Sequence, residues 1–192
     1  LTAYYSRSLD TEEIFEKLEV GKTADFRKHL NQYDVIHIDI QWCIEPAGGA
    51  DQVITFINKN VIEELRETYE KELSEGTSSL PDALSQISAK TGKKFILILD
   101  EWDVLIRDEA ANQKIQDEYI NFLRGLFKGT EPSKYIHLAY LTGILPIKKI
   151  RTQSALNNFS EFTMLDAKVF CKIHWFYRRR SAGALSDIQQ RF

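Results

Sequence analysis

The stretch Phe95-Ile-Leu-Ile-Leu-Asp100-Glu101-Trp102-Asp103 decides the fold of this protein. An uninterrupted apolar run of this length is typical of a strand that is covered on both faces, as in a parallel sheet. The acids begin where the apolar run ends. In open α/β sheets, ligands bind at the carboxyl ends of the strands, so these acids stand where a ligand site would form.

Similar apolar segments occur elsewhere, and helical patterns separate them. We predict parallel strands at about 34–40, 94–100, 135–142 and 159–165. Helical spacing of apolar residues predicts helices at 10–18, 23–30, 50–73 and 112–127, and another that begins at Pro81. Strands that alternate with helices predict a layered α/β domain with a parallel sheet.

The acids after the second strand suggest a specific chemistry. A hydrophobic strand followed by Asp-Glu is the pattern of a Walker B motif. In that motif the first acid, here Asp100, holds Mg²⁺, and the second, Glu101, orients or deprotonates the attacking water. The hydroxyl of Thr142, at the tip of the next strand, stands where a sensor group would contact the γ-phosphate. The alternative is that the acids only cap loops and that Thr142-Gly143 is an ordinary turn.

Composition narrows the classes of protein. The chain has 192 residues, which corresponds to one domain or to one domain and a fragment of another. Its net charge is −3, so it lacks the excess of basic residues that is typical of an obligate nucleic-acid binder. Its two cysteines cannot form a disulfide framework or a metal cluster. No apolar run is long enough to span a bilayer and no signal peptide is present, so we expect a cytoplasmic protein without membrane contact.

Four segments together resemble the AAA-ATPase-like family of bacterial proteins, over residues 1 to about 170. They are 97–104, 119–127, 141–149 and 153–159. Members of this family are P-loop NTPases, often fused to a PD-(D/E)xK nuclease-like domain. The resemblance implies ATP and Mg²⁺ as cofactors, with Asp100 binding the metal and Glu101 and Thr142 acting in catalysis. It also implies a nucleic-acid partner through the C-terminal domain.

The sequence contains no glycine-rich phosphate-binding loop. Gly21-Lys22-Thr23 fails the pattern G-x-x-x-x-G-K-[ST], because the first glycine would fall at Glu16. We therefore expect a three-layer P-loop NTPase-like core that is truncated at its N-terminus and lacks the Walker A strand and loop. We expect that strand to lie between the acidic strand and the sensor strand in the complete protein, so that its absence exposes strand edges and favours self-association.

The predicted function is Mg²⁺-dependent ATP hydrolysis in the complete protein, of a regulatory or switch type. The alternative is a non-catalytic α/β interaction module that binds no nucleotide. A metal-dependent nuclease is a more distant interpretation, since no lysine stands two residues beyond Asp100.

The tail at 171–192 departs from the family. It contains Trp175, Phe176, Tyr177 and three arginines, a composition typical of a nucleic-acid or membrane-surface contact. A one-base frameshift near codon 171 is the other interpretation, since a shifted frame allows a helix with a capping box. We treat 1–170 as a partial AAA-ATPase-like domain and 171–192 as a divergent tail.

The missing loop leads to a testable expectation. Without backbone N–H groups around the phosphates, this 192-residue chain should bind ATP weakly or not at all. Titration with a fluorescent ATP analogue measures this, and micromolar affinity would contradict it.

Overall fold

The computed structural model describes residues 1–107, 112–146 and 158–162. The chain divides into two compact units, Leu1–Asn157 and Asn158–Phe192. Of the predicted fourth strand, residues 159–162 form no strand, and 163–165 lie outside the described residues. The tail at 171–192 also lies outside them.

The first unit contains a sheet of three parallel strands in the order β1-β2-β3. The strands are β1 (Asp34–Asp39), β2 (Phe95–Asp100) and β3 (Ile136–Leu141). Their bounds fall within two residues of the predicted segments. The α/β class with a parallel sheet is therefore confirmed, and it is compatible with a P-loop-like core.

Strand β2 forms the centre of the core. Phe95, Ile96, Leu97 and Leu99 are fully buried, and Ile98 is 6% exposed. Because successive side chains of a strand point to opposite faces, both faces of β2 are covered. Burial of apolar area stabilises by about 25 cal/mol per Å², so this strand is a principal source of stability.

The order of the strands differs from the prediction. A further strand was predicted between the acidic strand and the sensor strand, but β2 pairs directly with β3, with Leu97 opposite Ala139 and Leu99 opposite Leu141. The prediction was wrong because β2 uses one edge for β1 and the other for β3, which leaves no edge for an inserted strand.

Helices occupy most of the remaining described chain of the first unit, joined in two places by 3₁₀ turns. In chain order the helices are α1 (Thr2–Tyr5), α2 (Glu12–Phe15), α3 (Phe26–His29), α4 (Ile40–Ala47), α5 (Val53–Tyr69), α6 (Leu80–Thr91), α7 (Val104–Arg107), α8 (Gln113–Phe127) and α9 (Pro132–Tyr135). The 3₁₀ turns are Glu19–Lys22 and Ala50–Gln52.

The long predicted helices are confirmed as α5, α6 and α8, and the side chain of Asn112 caps α8 by accepting a hydrogen bond from the backbone N–H of Ile115 at 3.0 Å. The segments at 10–18 and 23–30 form only single helical turns with a 3₁₀ turn between them. Helix α4 was not predicted. It starts directly after β1, in a stretch that carries Pro46.

The amino edge of the sheet is closed by a polar network. Asp34, the first residue of β1, is paired with Arg7 at 3.1 Å and accepts a hydrogen bond from the Tyr69 hydroxyl at 2.7 Å. Lys93 in turn donates to that hydroxyl oxygen at 3.1 Å. Burial and the hydrogen bond to Asp34 raise the pKa of Tyr69 well above its usual range, so the phenol stays protonated. These groups satisfy one another and serve the fold.

The outer edge of β3 leads to a prediction. It pairs with no strand in the described part of the chain, and Leu138 and Tyr140 on β3 are 38% and 42% exposed. Because an unpaired apolar strand edge recruits other chains, we predict that this chain self-associates and that Tyr140→Lys reduces the association. Sedimentation velocity at increasing concentration measures both.

The control is Ile14→Lys, which places the same charge at a 62% exposed site on α2 and should leave self-association unchanged. A wild-type chain that stays monomeric and unfolds in one sharp, reversible thermal transition would contradict the prediction.

Candidate functional site

The ends of β2 and β3 are joined at the carboxyl edge of the sheet. The backbone N–H of Thr142 donates to the carbonyl of Leu99 at 2.9 Å, and the N–H of Trp102 donates to the carbonyl of Thr142 at 3.0 Å. The two loops that follow these strands are thus held together by the backbone. Their side chains form the candidate site.

Asp100 and Thr142 are in direct contact. The Thr142 hydroxyl and Asp100 Oδ1 form a short hydrogen bond. The same oxygen accepts the backbone N–H of Glu101 at 3.1 Å. The other oxygen, Oδ2, accepts no hydrogen bond from the residues that the structure describes, and the residue is half-buried. One carboxylate oxygen therefore accepts two hydrogen bonds, and the other accepts none from the described residues.

Glu101 adopts an unusual backbone conformation. Its φ is 50°, in the left-handed region, which costs a residue with a side chain about 1–2 kcal/mol. Its carboxylate Oε2 lies 2.6 Å from Arg107 Nη2, and the side chain is 41% exposed. The surroundings of Glu101 thus hold it in a strained turn directly after the strand.

Asp103 is the buried anchor of the two loops. Its side chain is fully buried and accepts a hydrogen bond from Arg107 Nε at 2.8 Å. It also accepts the backbone N–H groups of Ile144, at 3.2 Å, and Leu145, at 2.8 Å, both in the loop after β3. The alternative interpretation, in which Asp100, Glu101 and Asp103 are solvated acids that only cap loops, is therefore wrong for Asp103.

Gly143 allows the loops to approach closely. A Cβ atom at this position would lie 2.7 Å from Cδ1 of the Trp102 ring and would also overlap Asp103 Oδ1. No flexible side-chain end is available to yield, because Trp102 is 2% exposed and Asp103 is fully buried. The Thr142-Gly143 pair is thus more than an ordinary turn.

Tyr119 of α8 contacts the loop after β2 from the core side. Its hydroxyl donates to the carbonyl of Trp102 at 2.6 Å inside the core. Burial, with a smaller contribution from nearby Asp103, raises the pKa of Tyr119 far above its usual range. The phenol is therefore protonated at neutral pH and can donate this hydrogen bond.

Asp39 lies at the same edge as Asp100. The two residues are partners in the register of β1 and β2. The Asp39 carboxylate accepts the backbone N–H of Trp42 at 2.9 Å and thereby caps α4. Asp39 therefore ends β1 and lies beside Asp100 at the carboxyl edge of the sheet.

Other candidates are less suited to chemistry. Cys43 is buried, and burial followed by the charge of Asp39 raises the pKa of its thiol, which disfavours a nucleophilic thiolate.

Within the described residues, no group of three or more His, Cys, Asp or Glu side chains is arranged to hold a metal ion. None of the helices described is long and apolar enough to cross a membrane. Lys148, Lys149 and Arg151 lie outside the described residues.

Sequence reasoning placed Asp100, Glu101 and Thr142 at one site, and the structure brings Asp100 and Thr142 into contact. Glu101 is adjacent in the chain, but its carboxylate is bound by Arg107. Arg107 was missed. The spacing Asp103 to Arg107, four residues apart at a helix start, was the available signal.

Comparison with known protein families identifies the family of the chain. The family AAA-ATPase-like, described as a predicted AAA-ATPase, matches residues 1–152. The chain belongs to this AAA-ATPase-like family. No curated protein and no solved structure matches the chain.

The approach of Gly143 to Trp102 gives a prediction. Gly143→Ala should lower the free energy of unfolding by about 1–3 kcal/mol, because the added methyl group overlaps well-packed atoms. Urea unfolding followed by circular dichroism measures the change.

Gly125→Ala in α8 is the matched control. There the new Cβ would meet its nearest neighbour, Pro81 Cγ, at 3.8 Å, and the helix should gain up to about 1 kcal/mol. Equal stability of Gly143→Ala and the wild type would show that the close contact is unimportant.

Proposed function

We propose that the carboxyl edge of β2 and β3 is the site at which this family binds ATP with Mg²⁺ and hydrolyses it in the complete protein. The observation that carries the proposal is the hydrogen bond between Asp100 and Thr142, at the joined ends of two parallel strands. Family membership supports nucleotide chemistry in general. The position agrees with the rule that α/β sheets bind ligands at the carboxyl ends of strands.

The donor atoms at this edge fit Mg²⁺. This ion prefers oxygen ligands and is usually held by one or two carboxylates, with waters and substrate phosphates completing its shell. Asp100 Oδ2, which has no partner among the described residues, would take the metal or one of its waters, and Asp39 stands beside it in the register. A larger cluster of protein ligands is unnecessary for such a site. When bound, the metal would neutralise phosphate charge.

The remaining roles follow from the side chains. Glu101 would accept a hydrogen bond from the attacking water through Oε1, since Oε2 is bound to Arg107. The Thr142 hydroxyl, fixed by Asp100, would face the γ-phosphate. Such groups act by positioning and by electrostatic stabilisation, which dominate phosphoryl transfer.

A regulatory, switch-type role fits the same geometry. The loop that carries Thr142 is bound through Ile144 and Leu145 to the buried carboxylate of Asp103. Loss of the γ-phosphate next to Thr142 would therefore change the positions of the loops after β2 and β3. Other proteins in which the nucleotide state biases a conformation act in this way.

Glu101→Gln tests the proposal. In the complete protein it should lower the rate of ATP hydrolysis at least 100-fold, the usual size of a general-base effect, while ATP binding is retained. Phosphate release and equilibrium binding of a fluorescent ATP analogue measure the two quantities.

Glu118→Gln is the matched control, because Glu118 is a half-exposed residue of α8 paired only with Lys114 among the described residues. Hydrolysis that survives Glu101→Gln unchanged would remove Glu101 from the mechanism. A complete protein that neither binds nor hydrolyses ATP would favour the non-catalytic interaction module.

A further inference from the structure

We propose that Arg107 is a positioning residue for hydrolysis, which holds Glu101 in the orientation that receives water. The inference rests on the proposed ATPase function of the site. It concerns a residue that no motif of the sequence pointed to. Its basis is the pair of ion contacts that Arg107 makes with two acids of the same turn.

The guanidinium of Arg107 bridges Asp103 and Glu101. Nε donates to Asp103 Oδ2 at 2.8 Å, and Nη2 donates to Glu101 Oε2 at 2.6 Å. The side chain of Asp103 is fully buried, and that of Arg107 is 28% exposed. A buried carboxylate thus fixes one edge of the guanidinium, and the guanidinium in turn fixes Glu101. Charge-assisted hydrogen bonds of this length are strong and directional.

The contact with Glu101 occupies one carboxylate oxygen. Oε1 of Glu101 accepts no hydrogen bond within the described part of the chain, and the side chain is 41% exposed. An arginine that bound both carboxylate oxygens would leave neither of them for water. Arg107 binds only Oε2, so Oε1 can still accept a hydrogen bond while the carboxylate is held in place. Preorganised groups of this kind need no rearrangement when the reaction occurs.

The backbone of Glu101 makes such a holder necessary. A side chain on a left-handed turn with φ of 50° is in a sparsely populated conformation, which persists only where neighbouring contacts determine it. The bond to Arg107 is the side-chain contact that the described residues offer to Glu101. Without it, no side chain among the described residues would hold the Glu101 carboxylate in its present orientation.

The same arginine links Glu101 to the loop after β3. Asp103 holds Arg107 through one oxygen and accepts the backbone N–H groups of Ile144 and Leu145. A shift of this loop, which begins at Thr142, would therefore move Asp103, Arg107 and Glu101 in turn. The position of the water-orienting acid is in this way tied to the side of the site that would contact the γ-phosphate.

The test is steady-state ATP hydrolysis by the complete protein carrying Arg107→Ala or Arg107→Lys. Both variants should lower kcat, by about 10- to 100-fold for alanine and less for lysine, with KM and nucleotide affinity within threefold of wild type. Lysine keeps a cation beside buried Asp103, so Arg107→Lys covers the case in which the alanine variant fails to fold. A purely structural role would change the melting temperature without a selective loss of kcat.

Two comparisons make the result decisive. Arg27→Ala, which removes a surface arginine paired with Glu12 and Glu16, should leave kcat unchanged. In the Glu101→Gln background, Arg107→Lys should cause no further loss, because the two residues act as a unit.

The proposal is overturned if Glu101→Gln abolishes hydrolysis while Arg107→Lys retains kcat within twofold of wild type, or if the two losses multiply. Unchanged hydrolysis by Glu101→Gln itself would instead refute the proposed function, so the two failures are distinguishable.

Discussion

The buried carboxylate of Asp103 is the constraint on which the candidate site depends. A fully buried charge is costly unless it is paired and hydrogen-bonded, and Asp103 has one cation and two backbone N–H groups as partners. Those partners come from α7 and from the loop after β3. Satisfying this one group therefore brings together the segments that follow two neighbouring strands.

The sheet and the core provide the frame for this arrangement. Strand β2 is covered on both faces and paired on both edges, so its carboxyl end is a rigid point from which Asp100 projects. Tyr119 holds the carbonyl of Trp102 from the core side, and Gly143 allows the opposite loop to reach the indole. The two edges of the sheet differ in consequence. At the amino edge, Arg7, Asp34 and Tyr69 satisfy one another, whereas at the carboxyl edge Asp100 Oδ2 accepts no hydrogen bond from the described residues.

Much of this could be predicted from the sequence. The apolar run at Phe95–Leu99 predicts a buried parallel strand, because strands that are covered on both faces have near-continuous apolar sequences. The acids that follow the run predict a site at the end of this strand. The rule that parallel strands end at one edge placed Asp100 and Thr142 at the same edge of the sheet, but their direct contact depends on the pairing of β2 with β3. Helix α4 was missed because Asp39 serves both as the last residue of β1 and as the N-cap of the helix, and because the helix contains Pro46, a residue that usually breaks one. The pairing of β2 with β3 was not predicted because strand order depends on contacts far apart in the chain. The role of Asp103 was likewise hidden, since an acid in a turn is usually solvated and only the packed structure shows that it is buried.

The most direct test of the central claim is the location of a paramagnetic metal by NMR. In the complete protein, Mn²⁺ with a slowly hydrolysed ATP analogue should broaden the amide signals of residues 100–103 and 142–145 and leave those at the amino edge, around Asp34 and Lys93, sharp. Broadening at the amino edge, or no selective broadening at the carboxyl ends of β2 and β3, would contradict the account.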